Sequence, residues 1–139
     1  MRAVVQRVTA GSVSVGGQEI SRVGAGMVVL LGITHGDGAA EAERMAGKLL
    51  KLRIFEDGEG RMNEALGERE ILCVSQFTLY ADSSGGNRPG FKEAAPGEVA
   101  EPLYDEVCER LGAKKGVFGA DMKVEITGDG PVTILIEIK

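Results

Sequence analysis

Two short stretches of the sequence place polar groups beside irregular backbone, where a small protein can do chemistry. The first is "SQFTLY" at residues 75–80, where hydroxyl and amide side chains end an apolar run and lead into a glycine-rich loop. The second is "GDGPVT" at residues 128–133, in which Gly130 and Pro131 stand directly before an apolar segment. Proline has no N–H to give a sheet, and glycine adopts dihedrals closed to other residues. Taken alone, the first stretch also fits a half-solvated strand and the second a simple turn.

The residue sets of the commonest hydrolases are missing from the sequence. His35 is the only histidine, and its setting in "GITHGDG" predicts a solvated loop. A Ser-His-Asp triad would need this histidine, and no GxSxG motif presents a serine. HExxH and clustered His/Cys ligands do not occur, so we expect neither a metal nor a cofactor. Any catalysis must therefore depend on backbone dipoles, hydroxyl groups or the substrate itself.

Length and composition predict one globular domain over residues 1–139. Hydrophobic residues make up 43% of the chain and charged residues 27%, which argues against disorder. No apolar run approaches the ~20 residues of a membrane span and the N-terminus lacks a secretory apolar block, so we expect a cytoplasmic protein without membrane contact. Cys73 and Cys108 are predicted to be buried free thiols, because neither has a CxxC partner. The net charge of −5 disfavours a non-specific grip on nucleic acid but allows contact with one RNA end.

The hydrophobic pattern predicts the elements that must position these stretches. Alternation breaks at Ala10 and Gly11, which predicts an opening hairpin, and the apolar run at 27–33 predicts a central strand. Helical spacing predicts an amphipathic helix over residues ~39–52 and a second helix that ends at Gly112. The two helices are thus separated by several strand-like segments.

Both chemical stretches are predicted to lie on or between strands. "EILCVSQFTLYA" indicates a second strong strand, whose side chains would alternate between one face with Ser75, Phe77 and Leu79 and another with Gln76, Thr78 and Tyr80. The chain ends as two predicted strands, "DMKVEIT" and "VTILIEI", joined through residues 128–131. With seven or eight strands, two helices and hairpin links without a βαβ rhythm, the predicted fold class is α+β, built on a largely antiparallel β-sheet or open barrel.

A set of motifs in a fixed order resembles one known family. "VSQFTLYAD" is followed by "NRPGF", "FGADM" and "DGPVTI", and the opening "MRAVVQRV", "LRIFED" and "RMN" match as well. This pattern, which extends over nearly the whole chain, is similar to the D-aminoacyl-tRNA deacylase family. The resemblance implies a homodimer of small β-rich subunits with active sites at the interface. It also implies hydrolysis of the ester that joins a D-amino acid, or mischarged glycine, to the 3′-terminal ribose of tRNA.

The resemblance also implies which residues form the site. The catalytic segment and pocket lining fall on the first stretch, at Ser75, Gln76, Phe77, Thr78 and Leu79. Further substrate contacts fall on Ala120 and Met122 of "FGADM", and Phe91 of "RPGF" is similar to the family's aromatic residue near the terminal adenosine.

The second stretch carries the family's Gly-Pro motif. Gly130 and Pro131 correspond to a cis peptide that reaches into the pocket of the partner subunit. Arg7 resembles the basic residue that supports this loop, and Thr133 is assigned a supporting role beside it. Gly128 stands where the family usually has Asn. The implied partners are therefore the 3′ end of an aminoacyl-tRNA and a second copy of the chain.

These residue types suit an ester that is already reactive. Such an ester needs orientation and oxyanion stabilisation more than a strong base. Backbone N–H groups of Phe77 and Thr78 would hold the oxyanion, while either the substrate 2′-OH helps to activate water or Thr78 acts as the nucleophile. The carbonyls of Gly130 and Pro131 would bind the α-ammonium, and their backbone would collide with an L side chain. Two alternatives stay open: a related deacylase with a trans Gly-Pro bond that acts on L-alanyl-tRNA, and a non-catalytic dimeric module that binds a ligand.

Overall fold

A long first strand organises the sheet in the computed structural model, which describes residues 1–139. Strand β1 (Arg2–Val15) pairs antiparallel with β3 (Gly26–Gly32) through its first half and with β2 (Gln18–Val23) near its end. Its other edge pairs antiparallel with β8 (Lys123–Glu137) over nearly its full length. Because β1 contacts all three strands, it connects the Gly-Pro segment of β8 to the rest of the sheet.

The other half of the sheet is parallel. β6 (Glu70–Ser75) runs parallel to β3, and the short β7 (Lys114–Lys115) runs parallel to β6. Helix α1 (Ala39–Lys51) and a small hairpin of β4 (Phe55–Glu56) and β5 (Met62–Glu64) connect β3 to β6. Helix α2 (Gly97–Leu111) lies between β6 and β7. The expectation of hairpin links alone is therefore wrong, because parallel neighbours need crossover connections.

Contacts between β2 and β7 bring the two ends of the sheet together. The Lys114 ammonium donates to the Arg22 carbonyl at 2.7 Å, and the Ser21 hydroxyl donates to the Lys115 carbonyl. The sheet is thus a nearly closed barrel with two helices, which confirms the α+β class and the barrel-like architecture predicted from the sequence.

The predicted break in β1 is absent. The strand runs through Ala10 and Gly11, and a Cβ on residue 11 would lie only 2.7 Å from Cγ2 of Val28. Glycine at this position therefore allows a close approach of β1 to β3 and does not form a turn. The turn comes at Gly16 and Gly17, whose φ angles of 57° and 82° suit glycine.

The two strands predicted at the end of the chain are one continuous strand, β8. Its pairing with β1 is interrupted in the middle, since Gln6 faces Thr133 and Val8 faces Gly128. The four residues 129–132 thus lie opposite the single residue Arg7, which forms an irregular bulge. β8 pairs only with β1, and this edge position tolerates a proline without an N–H.

The two helices cover one face of the sheet. Ala42, Met45 and Leu49 of α1 and Tyr104 and Val107 of α2 are all buried in the larger of two apolar clusters. The smaller cluster fills the barrel with valines and leucines from β1, β2, β3 and β6. The helical bounds agree with the periodicity, and a left-handed Gly112 ends α2 as predicted. None of the helices combines the length and hydrophobicity needed to cross a bilayer.

Single residues also follow the sequence predictions. Cys73 and Cys108 are buried free thiols. His35 is exposed, and its Nε2 lies 2.8 Å from the Lys92 carbonyl in a neighbouring loop. It contacts no hydroxyl group that it could activate.

Candidate functional site

The "SQFTLY" stretch leaves the sheet after Ser75. The backbone N–H of Gln76 still donates to the Leu31 carbonyl at 2.8 Å, and residues Phe77–Tyr80 then form a single 3-10 turn. The predicted alternation of faces over residues 75–80 is therefore wrong. Gly32 explains the change, because a Cβ there would lie 3.0 Å from both the Gln76 carbonyl oxygen and the Leu79 Cβ. The turn packs on β3 where that strand has no side chain.

The start of this turn presents two free N–H groups. Neither the Phe77 nor the Thr78 amide donates a hydrogen bond within the chain, since the turn is closed by the amides of Leu79 and Ala81. The Thr78 hydroxyl is exposed and accepts a hydrogen bond from the Gln76 side-chain amide. No basic side chain contacts this hydroxyl, so the structure offers no general base to Thr78.

Arg2 holds the end of the turn in place. Its Nη1 donates to the Leu79 carbonyl at 3.0 Å, and its guanidinium carbon lies 4.4 Å from the centroid of the Tyr80 ring. Glu137 of β8 accepts from the Nε of Arg2 at 2.6 Å. Burial, aided by the charge of Asp37, raises the pKa of Tyr80 to about 12. The sequence reasoning did not place Arg2 among the site residues, although it stands at the start of the longest alternating segment.

A cavity of about 470 Å³ opens beside the turn. Ser75 and Gln76 supply polar side chains to its lining, and Phe77, Ala120 and Met122 line it with apolar ones. Most of its remaining lining is apolar and comes from β3, the start of α2 and the Phe118 segment. An apolar cavity with a few polar groups at one side is typical of a small-molecule pocket.

The aromatic residue of "NRPGF" extends this surface. The rings of Phe91 and Phe77 meet edge to face, with centroids 5.0 Å apart and an angle of 69° between their planes. Both rings are exposed, Phe77 at 56% and Phe91 at 38%. Large exposed aromatic side chains that contact each other at a cavity mouth indicate a surface for a flat ligand group.

The Gly-Pro segment forms a second group of predicted site residues. The Gly130–Pro131 peptide bond is cis, and both residues are exposed. Arg7 is buried and donates from Nε to the Asp129 carbonyl at 3.2 Å and from Nη1 to the Ile54 carbonyl at 2.8 Å. Its Nε also lies 3.3 Å from the Asp129 carboxylate.

Thr133 forms a hydrogen bond on the C-terminal side of this loop. Its hydroxyl donates to the Gln6 side chain at 2.7 Å. The contacts of Arg7 and Thr133 thus hold the bulge of β8 against β1.

The structure brings some of the predicted site residues together and keeps others apart. Five of them line the cavity, Thr78 and Leu79 belong to the adjoining turn, and Phe91 joins through Phe77. Gly130, Pro131, Arg7 and Thr133 do not line the cavity of their own chain, because β1 and β3 lie between β8 and β6 in the sheet. No group of three or more His, Cys, Asp or Glu side chains is placed to hold a metal.

Comparison with known proteins decides the family. The family model described as D-Tyr-tRNA(Tyr) deacylase matches residues 4–137. The chain belongs to this family. Among similar family members, the D-aminoacyl-tRNA deacylase of Chlorobaculum parvum is 54% identical and that of Anaeromyxobacter dehalogenans 53%, each over 99% of this chain and 97% of its own length. The sequence-based assignment to this family of hydrolases is confirmed.

Two solved structures share the fold of these deacylases. The c-Myc DNA Unwinding Element Binding Protein superposes with a TM-score of 0.95 at 48% identity, covering 100% of this chain and 99% of that one. A probable eukaryotic D-amino acid tRNA deacylase gives a TM-score of 0.85 at 20% identity over 99% of this chain and 98% of its own. At that identity the second likeness concerns the fold alone.

Proposed function

We propose that this deacylase-family protein hydrolyses the ester bond of D-aminoacyl-tRNA, and of mischarged glycyl-tRNA, releasing free tRNA and the amino acid. One observation carries the proposal: the two free amides of Phe77 and Thr78 stand at the edge of an apolar cavity of about 470 Å³. Preorganised N–H donors of this kind stabilise the oxyanion of an acyl-transfer transition state. A tRNA substrate also implies a cytoplasmic location.

The reaction needs no side-chain base in this site. Water attacks the ester carbonyl, negative charge develops on the carbonyl oxygen beside the Phe77 and Thr78 amides, and the bond to the ribose oxygen then breaks. The water proton passes to that departing oxygen, assisted by the neighbouring 2′-OH of the substrate. The absence of a basic neighbour at the Thr78 hydroxyl favours this substrate-assisted route over a threonine nucleophile.

The aromatic pair of Phe77 and Phe91 supplies the place for the terminal adenosine. Its exposed rings stand beside Gln76 and Ser75 at the cavity mouth. Stacking on aromatic side chains is the usual way in which proteins hold unpaired bases. This places the ester of a bound adenosine near the free amides.

Selection against L-amino acids is assigned to a second copy of the chain. Gly130 and Pro131 are exposed on a bulge that four residues form opposite Arg7, and they take no part in their own cavity. We propose that in a homodimer this segment enters the partner's cavity. Its main-chain carbonyls there bind the α-ammonium, and its backbone blocks an L side chain. Because main-chain atoms reject the L-amino acids, the site would accept D-amino acids whatever their side chain.

A paired deacylation assay tests the function. The protein is incubated with D-Tyr-tRNA, L-Tyr-tRNA and Gly-tRNA carrying labelled amino acids, with and without EDTA, and label release is followed. We expect release from D-Tyr-tRNA and from Gly-tRNA, none above background from L-Tyr-tRNA, and no effect of EDTA. A non-catalytic binding module would release none of the three amino acids, and an L-alanine-specific relative would act on an added L-Ala-tRNA instead.

A further inference from the structure

A groove of about 800 Å³ runs along the C-terminal half of α1, away from the cavity of the same chain. Four exposed basic side chains line it: Arg44, Lys48, Lys51 and Arg53. Glu43 is the single acidic residue of its lining. The groove therefore carries a local excess of positive charge on a chain whose net charge is −5.

No Asp or Glu side chain forms an ion pair with these four basic side chains. Eight of the 16 lysines and arginines form ion pairs with Asp or Glu side chains, and the four basic residues of the groove belong to the other eight. Arg44 donates to a main-chain oxygen of Lys139, the last residue of the sequence, and Arg53 donates to the Asn63 carbonyl, so both guanidinium groups are held in place. The ammonium groups of Lys48 and Lys51 make no hydrogen bond within the chain. Half of the basic side chains that have no Asp or Glu partner are thus concentrated in one groove.

The groove lies next to the Gly-Pro loop. Arg53 directly precedes Ile54, whose carbonyl accepts the hydrogen bond from Arg7 at 2.8 Å. The same guanidinium holds the Asp129 carbonyl at 3.2 Å, one residue before Gly130. A single buried side chain therefore connects the end of the groove to the segment assigned to the partner's cavity.

We propose that this basic groove binds the sugar–phosphate backbone of the tRNA whose 3′ end occupies the partner subunit's cavity. The proposal rests on the proposed function, since it takes the Gly-Pro loop to enter that cavity. Residues 44, 48 and 51 share one helical face and span about 10 Å, a length that covers roughly three phosphates of one strand. Unpaired, solvent-exposed ammonium and guanidinium groups are the groups that phosphate backbones attract.

The reacting ester and the RNA backbone are thus assigned to different subunits. One subunit supplies the free amides and the aromatic pair, while its partner supplies both the Gly-Pro segment and the basic groove. This division explains how a chain with an acidic net charge would attract an anionic substrate: the positive charge is local and lies beside the entrance of the site. Contacts of this kind raise affinity and depend steeply on salt.

The test compares two double variants on two substrates. Lys48→Gln/Lys51→Gln removes two unpaired charges from the groove. Arg22→Gln/Lys114→Gln removes two charges that are already paired with Glu19 and Glu70 at the β2–β7 side of the barrel. Because Lys114 also donates to the Arg22 carbonyl, the melting temperature of this control is compared with that of wild type as well. Each is assayed on full-length D-Tyr-tRNA at several salt concentrations and on the D-tyrosyl ester of adenosine, which has no phosphate.

We expect the groove variant to raise the KM for D-Tyr-tRNA roughly tenfold at low salt and to reduce the slope of log(kcat/KM) against log[salt] by about 2. Hydrolysis of the adenosine ester should stay unchanged, and the control variant should behave like wild type on both substrates. Unchanged melting temperatures would exclude a folding defect.

Three results would overturn the proposal. An unchanged KM and salt slope for the groove variant would show that the groove does not bind the tRNA backbone. An equal loss on both substrates would place the effect at the reaction itself. Failure of the wild type to hydrolyse either ester would refute the proposed function, and this inference with it.

Discussion

Arg7 and Gly130 stand so close that a Cβ on residue 130 would lie 3.1 Å from Nη2 of Arg7. The same Cβ would lie 2.9 Å from Cγ2 of Val132, and the φ angle of Gly130 is +121°. In the loop that we propose to sense handedness, Gly130 therefore packs against Arg7 and Val132 without space for a side chain.

Gly130→Ala should impair the loop far more than Gly128→Ala. Alanine at 130 would have to adopt a φ that costs of order 1–3 kcal/mol and would press on Arg7, whereas a Cβ at 128 meets nothing within 4 Å. We expect kcat/KM on D-Tyr-tRNA to fall at least tenfold for the first variant and less than twofold for the second. Wild-type rates and D/L selectivity in Gly130→Ala would contradict the assigned role of the loop.

Arg7→Lys tests whether the loop depends on the positive charge of Arg7 or on its two hydrogen bonds. Lysine keeps the charge but its single ammonium cannot hold the carbonyls of both Ile54 and Asp129. Because Arg7 is buried, we expect the free energy of unfolding to drop by about 1–3 kcal/mol in urea titrations, together with a lower D/L rate ratio. Arg61→Lys, at an exposed side chain without a partner, is the matched control. Stability and selectivity equal to the control would show that charge alone suffices.

Thr78→Val removes the hydroxyl and keeps the shape of the side chain. Since no base contacts the hydroxyl, the substrate-assisted route predicts a fall in kcat of less than about tenfold. Thr78→Ser should retain most of the activity under either mechanism. A folded Thr78→Val protein with no measurable hydrolysis, in single-turnover assays at saturating enzyme, would instead identify Thr78 as the nucleophile.

Tyr80 should make the protein less stable at alkaline pH. Its pKa is raised to about 12 in the folded state by burial, with Asp37 adding to the rise and Arg2 opposing it, against 10 in the unfolded chain. Below pH 10 both states keep the proton. Between pH 10 and 12 only the unfolded state loses it, so stability falls, by about 1–2 kcal/mol in total after a discount for solvent screening.

Urea titrations at pH 9 and pH 11.5 on wild type and Tyr80→Phe measure this effect. Tyr104, whose pKa is also raised by burial, is present in both proteins, so the difference between them isolates Tyr80. The phenylalanine variant should lose clearly less stability over this interval. Identical losses would show that Tyr80 ionises in the folded protein as it does in water.

Phe91→Ala should weaken binding of the terminal adenosine. It removes one ring of the edge-to-face pair and leaves Phe77 and the free amides in place. Base–aromatic stacking contributes about 1–3 kcal/mol, so we expect KM to rise about five- to a hundredfold with kcat reduced much less. Phe91→Tyr, which keeps the ring, should restore the wild-type KM. A loss of kcat at constant KM would show that Phe91 contributes to the hydrolytic step and not to substrate binding.

Local signals in the sequence determined much of this molecule. The spacing of Ala42, Met45 and Leu49 was sufficient to locate α1, and Gly112 marked the end of α2, because helical periodicity and capping depend on neighbours within a few residues. The order of the motifs was sufficient for the family. Residue types alone also located both stretches in which the candidate chemistry lies.

Only the tertiary structure decided how those stretches are shaped and where they lie. The 3-10 turn at Phe77 depends on the bare backbone of Gly32, and the bulge at Gly130 depends on the register of β8 against β1. The contacts of Arg7 with Ile54 and Asp129 span 47 and 122 positions along the chain. Periodicity carries no information over such separations, because the partners meet only when distant strands pair in one register and pack on a common core.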